Sequence, residues 1–252
     1  MELDGKIALI SGGGQGIGAG IVERFLEEGA QMAIVQRRPL GPALEKRHGV
    51  LGIQADLGDP AALPRVAEHT AERFGGIDIL VNNAGIMFER SVSEIRPEEW
   101  DLMMAINMRA PLFLAQAVLP HMRRRGGGSI INIGSIEGLA ANPGHAAYCA
   151  SKAGIHGMTR ALALDLGPDN IRCNAIAPGW IASDLSDNYL EAQADRAAAR
   201  EALNGLHPVG RVGRPSDVGN LAVYLASDRS SFMTGETLVL DGGRTAKLPL
   251  PF

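Results

Sequence analysis

Three side chains near the middle of the chain have the types and the spacing needed for acid–base chemistry at an oxygen atom. Tyr148 and Lys152 lie four residues apart in a segment that reads as helical, and Ser135 lies thirteen residues before the tyrosine. Positions i and i+4 share one helical face, so the ammonium of Lys152 can favour the phenolate of Tyr148. We therefore predict that Lys152 lowers the pKa of Tyr148, because an unperturbed phenol near ~10 transfers protons poorly at neutral pH.

Ser135 joins this group if the chain folds as a parallel sheet. It comes shortly after residues 130–133, an apolar run that is typical of a buried strand. Ligands of such sheets bind at the carboxyl ends of strands, so the Ser135 hydroxyl and Tyr148 would meet around one carbonyl or alcohol oxygen. Any helix can also carry a tyrosine and a lysine one turn apart without a catalytic role, and the remaining elements must decide.

The first of these elements predicts a nucleotide site. An apolar strand over residues 6–10 runs into a loop that carries Gly12, Gly16 and Gly18, and a helix follows. Glycines permit a tight turn and let backbone N–H groups approach a pyrophosphate, and the helix N-terminus adds partial positive charge. The order of strand, glycine loop and helix favours cofactor binding over a plain turn, although the spacing fits the Rossmann fingerprint only loosely.

The end of the second strand bears on the choice of cofactor. Dinucleotide folds usually place an acidic residue there, on the ribose 2′-hydroxyl. This chain has Gln36 instead, followed by Arg37 and Arg38. An arginine can pair with a 2′-phosphate, so we favour NADP(H). NAD(H) stays open, because Gln36 could accept a ribose hydroxyl and Arg38 could face water.

The alternation of elements predicts the fold class. Apolar strands are expected at residues 31–36, 50–55, 77–81, 130–133 and 171–177, with helices over residues 60–74 and 97–125 and around Tyr148. This pattern predicts an α/β fold, a Rossmann-like doubly wound parallel sheet, in a single domain over residues 1–252. Asp56 then follows a strand, where it would accept from an adenine amino group or cap a helix. Asn107 lies among apolar residues, so its amide must be hydrogen-bonded, to backbone or to a water.

Composition excludes several classes of function. The chain has 252 residues, a formal net charge of -4 and two cysteines, Cys149 and Cys173. Nucleic acid binding needs clustered basic residues, and a secreted disulfide framework needs more cysteines, so neither is expected. We expect no membrane span and no signal peptide, and therefore a cytoplasmic protein. The histidines lack a compact spacing for a metal site.

Taken together, these motifs resemble the short-chain dehydrogenase/reductase family nearly from end to end. The matching segments are Gly12-x-x-x-Gly16-x-Gly18, Asn82-Asn83-Ala84-Gly85, Asn107, Ser135, Tyr148-x-x-x-Lys152, Pro178-Gly179 and Leu240-Asp241-Gly242-Gly243. The resemblance implies reversible hydride transfer between a nicotinamide and a small carbonyl or secondary alcohol substrate, without a metal ion.

The resemblance also implies roles for single residues. Tyr148 would be the catalytic acid or base, Ser135 would polarise the substrate oxygen, and Lys152 would act on Tyr148 and hold the nicotinamide ribose. Asn107 would hold a water in a proton relay, which replaces the structural role expected from its neighbours. The positions expected to bind the cofactor are Gly12, Gln15, Gly16, Ile17, Gly18, Arg37, Asp56, Leu57, Asn83, Ala84, Gly85, Tyr148, Lys152, Pro178, Gly179, Ile181 and Ser183.

Substrate and partners are less constrained. We expect a substrate lid over residues 184–207 and an apolar wall from Met87, Phe88 and Trp180, with Glu137 either binding a hydroxyl-rich or cationic substrate or facing solvent. A homotetramer is expected, with a dimer as the alternative, and the tail 244–252 covers a neighbouring subunit or is disordered.

Two alternative functions stay open. One is an acyl-carrier-protein reductase, although Ser129 and Asp169 stand where such enzymes carry basic docking residues. The other is a protein that binds NADP without turnover, and the intact set of Asn107, Ser135, Tyr148 and Lys152 argues against it.

Overall fold

Seven parallel strands form one sheet, in the order β3-β2-β1-β4-β5-β6-β7. The structure is a computed structural model and describes residues 1–183, 190–191 and 193–247. The strands are β1 Ile7–Ser11, β2 Gln31–Gln36, β3 Val50–Gln54, β4 Ile79–Asn82, β5 Gly128–Ile133, β6 Ile171–Pro178 and β7 Thr237–Leu240. The strand order reverses between β1 and β4, which is where ligands bind in doubly wound sheets. The predicted fold class is confirmed.

Helices cover both faces of the sheet. They are α1 Gly16–Glu27, α2 Pro42–Glu45, α3 Ala62–Phe74, α4 Pro97–Met104, α5 Ala110–Arg125, α6 Ala146–Leu166, α7 Arg196–Gly205 and α8 Pro215–Ala226. On one face, Phe25 of α1 and Val218 of α8 belong to one buried cluster. On the other, Leu63 of α3, Leu114 of α5 and Leu166 of α6 belong to a second. Because apolar side chains cover both faces, β1 and β4 are buried at every position.

The long helix expected over residues 97–125 is interrupted. A π-helical turn, Ala105–Arg109, separates α4 from α5. Pro111 has no N–H to donate to the carbonyl of Asn107 four residues earlier, and its ring would collide with that carbonyl in a regular helix. Each hydrogen-bonded ring of a π-helical turn contains one residue more than a ring of an α-helix. This change moves the Asn107 carbonyl away from the Pro111 ring and avoids the collision. The interruption contains Asn107, which the sequence marks as a candidate site residue.

The same segment has the length and the mean hydropathy, 1.5, of a membrane span, which we did not expect from the sequence. Length and composition are weak grounds for a span, because a core helix passes the same test. Here Leu114, Val118 and Met122 of the segment pack in the cluster between the sheet and α3. We therefore assign Pro97–Arg125 to the fold of this domain.

Several predicted boundaries shift by one or two residues. β1 includes Ser11, β4 begins at Ile79, and α3 begins at Ala62 because the Asp59 carboxylate accepts from Ala61 N (2.9 Å) in a turn before the helix. Within the expected lid, residues 184–189 and 192 lie outside the described residues, as do 248–252 of the tail. Of the described tail, Arg244–Ala246 forms a short 3-10 turn.

Candidate active site

A cleft of about 1630 Å³ runs along the carboxyl edge of the sheet, over the point where the strand order reverses. Of the predicted site residues, the following line it: Gly12, Gln15, Gly16, Ile17, Gly18, Arg37, Asp56, Leu57, Asn83, Ala84, Gly85, Ser135, Tyr148, Gly179, Ile181 and Ser183. The other predicted site residues, Pro178, Lys152 and Asn107, are not among the residues that line the cleft. The volume exceeds that of a typical small-molecule site, roughly 300–1,000 Å³, so there is room for a dinucleotide beside a substrate.

The glycine loop can receive a phosphate group. Gly12 has φ +69°, and a Cβ there would lie 3.1 Å from Ala84 Cα. A side chain at Gly18 would collide with the Gly12 carbonyl. At the start of α1 the N-cap Gln15 makes no side-chain cap, and the first turn holds no acidic residue. Its N–H groups and the positive end of the helix dipole therefore face the cleft, and these features fit a pyrophosphate.

Ser11, which our reading of the sequence missed, holds this loop against β4. Its Oγ accepts from the backbone N of Asn83 and of Ala84, both at 3.0 Å. In return, Asn83 Nδ2 donates to the carbonyl oxygens of Ser11 (3.0 Å) and Gly12 (2.8 Å). The Asn83 side chain therefore braces the loop. The sequence did contain a signal for this role, because Ser11 places a hydroxyl group at the end of a buried strand, directly before the first glycine of the loop.

Gln36 is fixed by the protein itself. Its Oε1 accepts from Gly14 N at 3.0 Å, and its Nε2 donates to the carbonyls of Arg38 (3.0 Å) and Pro39 (3.2 Å). The amide thus occupies the position of the usual acidic residue with no charge, and its acceptor is already engaged. Arg37 and Arg38 are exposed at the rim of the cleft.

Asp56 caps a turn and not the following helix, and its contact with an adenine amino group stays a prediction. Its Oδ1 accepts from Gly58 N at 2.8 Å, which caps the turn after β3. The carboxylate is exposed at the cleft, and the adjacent Leu57 is buried and supplies an apolar wall. The turn therefore uses one oxygen and presents the other to the cleft.

Ser135 and Tyr148 meet in the cleft. Ser135 Oγ accepts from Glu137 N at 3.0 Å, and its hydroxyl lies close enough to the Tyr148 hydroxyl to act on the pKa of that phenol. Burial raises the pKa of Tyr148 to about 12; Ser135 acts to lower it, while the charge on Glu137 adds to the rise. The predicted lowering of this pKa by Lys152 is therefore wrong, because desolvation of the phenolate outweighs the attraction that we expected.

Lys152 lies one turn of α6 further on and is buried. Its Nζ is 5.7 Å from the centre of the Tyr148 ring and donates to the Ile133 carbonyl at 2.8 Å. Burial lowers the pKa of Lys152 to about 8. A Cβ on Gly85 would lie 3.6 Å from this Nζ, so the ammonium adjoins the cleft wall beyond β4.

Asn107 sits in the π-helical turn and ties the loop after β4 to α6. Its Oδ1 accepts from Ile86 N (2.9 Å), and its Nδ2 donates to the Ile86 carbonyl (2.9 Å) and to Ser151 Oγ (3.1 Å). These contacts are those of the structural role expected from the apolar surroundings. The water of a proton relay at Asn107 stays a prediction.

The end of β6 forms the opposite wall. Gly179 lies against Asp241, whose Cβ would be 2.7 Å from a Cβ on the glycine. Ile181 is buried and pairs with Gly213 in a parallel bridge. Ser183 approaches the glycine loop, since a Cβ on Gly16 would lie 3.5 Å from Ser183 Cβ. This wall therefore closes over the loop at the start of α1.

The rest of the cleft has one polar side and one apolar side. Glu137 Oε2 is 2.6 Å from His145 Nδ1, and His145 Nε2 is 3.3 Å from Glu89 Oε1. Sequence reasoning missed His145 and Glu89, which no motif marks. The apolar side includes Met87, Trp180, the inner face of α7 with Ala199, Ala202 and Leu203, and Leu206 directly after this helix. The predicted wall residue Phe88 instead contacts Arg90 on the surface. Among the described residues, no three His, Cys, Asp or Glu side chains could hold a metal ion.

Comparison with known proteins decides the family. A family model described as enoyl-(acyl carrier protein) reductase matches residues 12–245. An NADP-dependent (R)-specific alcohol dehydrogenase of Lentilactobacillus kefiri is 37% identical, over 98% of this chain and 99% of that protein. The chain belongs to the short-chain dehydrogenase/reductase family. As a short-chain dehydrogenase/reductase it is an NAD(P)-dependent oxidoreductase that acts on alcohol and carbonyl groups of small molecules, and the non-catalytic alternative is set aside.

Two further relatives show how widely this family's substrates range. A 3-oxoacyl-(acyl-carrier-protein) reductase of Thermotoga maritima is 35% identical, over 96% of this chain and 99% of that protein. The ligand-free structure of an aldohexose dehydrogenase of Thermoplasma acidophilum superposes with a TM-score of 0.92 and 29% identity, over 99% and 98% of the two chains. Family membership therefore establishes the reaction class of this short-chain dehydrogenase/reductase but not its substrate, which has to be inferred from the residues that line the cleft.

Proposed function

We propose that the chain reduces a ketone to a secondary alcohol with NADPH, with Tyr148 as the proton donor. The observation that supports this most strongly is that Ser135 and Tyr148 line the same cleft with neighbouring hydroxyl groups, beside the buried ammonium of Lys152. Two neighbouring hydroxyl groups on one cleft wall can both reach a single substrate oxygen. The bound nicotinamide supplies the hydride, and the protein supplies position and electrostatics.

The proton step follows from the chemistry of these side chains. Ser135 orients the carbonyl oxygen by hydrogen bonding, and Tyr148 gives its proton to that oxygen as it gains negative charge. With a pKa of about 12 the phenol keeps its proton at neutral pH until an alkoxide, which is far more basic, forms beside it. Lys152 then stabilises the phenolate. The phenol therefore enters the reduction in its protonated form, which a proton donor requires.

Asn107 and the cleft wall complete the proposed set. Asn107 positions the Ile86 backbone and α6. The wall residues Gly179, Ile181 and Ser183, with Pro178 directly before them, are proposed to hold the nicotinamide. Gly12, Gly16 and Gly18 are proposed to hold the pyrophosphate. The described part of α7, with its apolar inner face, is proposed to form part of the substrate lid.

The preference for NADP(H) is proposed on charge. Gln36 puts no carboxylate where a 2′-phosphate would lie, and Arg37 and Arg38 stand beside it. An NADPH affinity at least tenfold higher than the NADH affinity, about 1.4 kcal/mol, supports this assignment. Fluorescence titration of the purified protein with the two reduced cofactors measures it. A higher affinity for NADH contradicts the role given to Arg37.

Replacing Tyr148 with Phe tests the catalytic proposal. We expect Tyr148→Phe to bind NADPH normally and to lose ketone reduction by at least roughly 10²-fold, because general acid catalysis contributes about 10²–10⁴-fold. Tyr224→Phe is the matched control, since Tyr224 is half-buried in α8 and does not line the cleft. Full turnover by Tyr148→Phe would refute the role of the phenol.

A second candidate function is the reduction of 3-oxoacyl thioesters on acyl carrier protein. Its support is the similarity to the Thermotoga maritima reductase. Against it, Ser129 is buried and donates to the Leu225 carbonyl (2.8 Å), and Asp169 pairs with Arg123 (2.7 Å), so neither position offers a docking cation. Acetoacetyl-acyl-carrier protein assayed beside acetoacetyl-pantetheine distinguishes the two functions. A strong preference for the protein-bound thioester favours this second candidate.

We also propose a homotetramer in the cytoplasm. Leu112 and Phe113 of α5, Leu164 of α6 and Val239 of the edge strand β7 are exposed apolar side chains. An edge strand and two apolar helix faces offer two separate self-association surfaces, which a tetramer with D2 symmetry needs. Light scattering coupled to size exclusion gives the molar mass that distinguishes a tetramer from a dimer.

A further inference from the structure

The polar side of the cleft carries a carboxylate with an unused acceptor next to the catalytic pair. Glu137 is two residues after Ser135, its backbone N donates to Ser135 Oγ, and its side chain lines the cleft. The side chain is 15% exposed. Its Oε2 contacts His145 Nδ1 (2.6 Å) and Cys149 Sγ (3.7 Å), while Oε1 makes no hydrogen bond within the described part of the chain.

His145 holds this carboxylate in place. The imidazole lies between two carboxylates, with Nδ1 on Glu137 and Nε2 on Glu89. Burial lowers the pKa of His145, but the hydrogen bonds and charges of Glu137 and Glu89 raise it more, so its pKa is raised overall. The ring centre of His145 is 6.3 Å from that of Tyr148, with the rings edge to face. Glu137 is thus a positioned acceptor beside the reacting centre.

The charge balance decides what this acceptor fits. His145 Nδ1 is paired with Glu137 Oε2, and Glu89 adds a carboxylate whose side chain is 71% exposed to solvent. A carboxylate that is already paired has less to gain from a second cation, but its remaining oxygen still accepts a hydrogen bond from a neutral donor. An alcohol hydroxyl is such a donor. Leu203 of α7 and Leu206, directly after that helix, also line the cleft and suit a hydrocarbon group.

We propose that Glu137 Oε1 binds a hydroxyl group on the carbon next to the reacting carbonyl, so that the protein prefers α-hydroxy ketones with an apolar substituent. This inference rests on the proposed function, because it places the reacting oxygen at Ser135 and Tyr148. Hydride addition to the carbonyl carbon and proton donation to its oxygen convert such a substrate into a vicinal diol. His145 is a positioning residue that holds Glu137 through Nδ1.

Paired substrates test this assignment. The pair is 2-hydroxyacetophenone and acetophenone, which differ by one hydroxyl, and the measured quantity is the ratio of their kcat/KM values with NADPH. We expect Glu137→Leu to lower this ratio roughly ten- to hundredfold, as the loss of a hydrogen bond to a charged group does. Glu137→Gln keeps an acceptor and should lower it less. Glu72→Gln, on the exposed face of α3, is the control.

The result separates the two proposals. A ratio that stays within about twofold of wild type in Glu137→Leu, while acetophenone is still reduced, overturns the role of Glu137 and leaves the proposed function intact. Failure of the wild type to reduce either ketone overturns the proposed function.

Calorimetric binding of 1-phenylethane-1,2-diol to Tyr148→Phe, with and without Glu137→Leu, does not depend on turnover. We expect affinity at least tenfold weaker with the leucine, and equal affinity contradicts the proposal. Melting curves and the closer variant Glu137→Gln guard against a folding defect in the leucine variant.

Discussion

Replacing Asn107 with Ala should destabilise the fold as well as the active site. The substitution removes three hydrogen bonds, two to the Ile86 backbone and one to Ser151. Each is worth about 1 kcal/mol, so we expect a loss near 3 kcal/mol in the free energy of unfolding. In a protein of this size that corresponds to a melting temperature lower by roughly 6–12 °C. The loop after β4 would loosen, and turnover should fall with it.

Differential scanning calorimetry at matched protein concentration measures the effect on melting, and the kcat of the remaining folded enzyme measures the effect on catalysis. Asn220→Ala is the matched control, because Asn220 is exposed on α8. A surface change of this kind should alter stability by no more than about 0.5 kcal/mol. If Asn107→Ala melts within about 2 °C of wild type and only its kcat falls, the structural role given to Asn107 is refuted.

Three other changes test different parts of the structure. Gln36→Glu should lower NADPH affinity at least tenfold, about 1.4 kcal/mol, without weakening NADH binding, as measured by fluorescence titration. Because burial lowers the pKa of Lys152 to about 8, the folded protein loses this proton before the unfolded chain does near ~10.4. The free energy of unfolding from urea titrations should therefore increase for wild type relative to Lys152→Met as the pH rises from 7.5 to 9.5. If the difference between the two proteins stays constant over this range, the lowered pKa of Lys152 is contradicted. Arg125→Ala removes the paired bonds to the Asp78 carboxylate (2.9 and 3.0 Å) and should cost about 1–3 kcal/mol in urea denaturation.

The sequence predicted the sheet and its site edge well, because both depend on local patterns. Buried parallel strands are apolar runs, so β2 has the predicted bounds. The glycine loop carries its own conformational signature, as the positive φ of Gly12 shows. Pro111, in contrast, acts on the carbonyl of Asn107 four residues earlier, and the sequence does not show how the helix adapts to it. The π-helical turn at Asn107 was therefore not predicted.

Features set by tertiary contacts were missed or misjudged. The contact of Glu89 with His145 joins two loops 56 residues apart in the chain, 145 minus 89, and no spacing rule connects them. The pKa of Tyr148 was predicted in the wrong direction, because i and i+4 spacing gives the position of Lys152 and says nothing of the burial of the phenol. Ser11 was missed for a similar reason, since its two donors are backbone N–H groups in the loop after β4.

The central claim is that the hydroxyls of Ser135 and Tyr148 act together on one substrate oxygen, and a double-mutant cycle on hydride transfer tests it most directly. Single-turnover oxidation of bound NADPH would be followed with excess ketone in wild type, Ser135→Ala, Tyr148→Phe and the double variant. Groups that act as a unit give non-additive losses, so the double variant should be little slower than Tyr148→Phe alone. Losses that multiply, or a Tyr148→Phe rate close to wild type, would contradict the account.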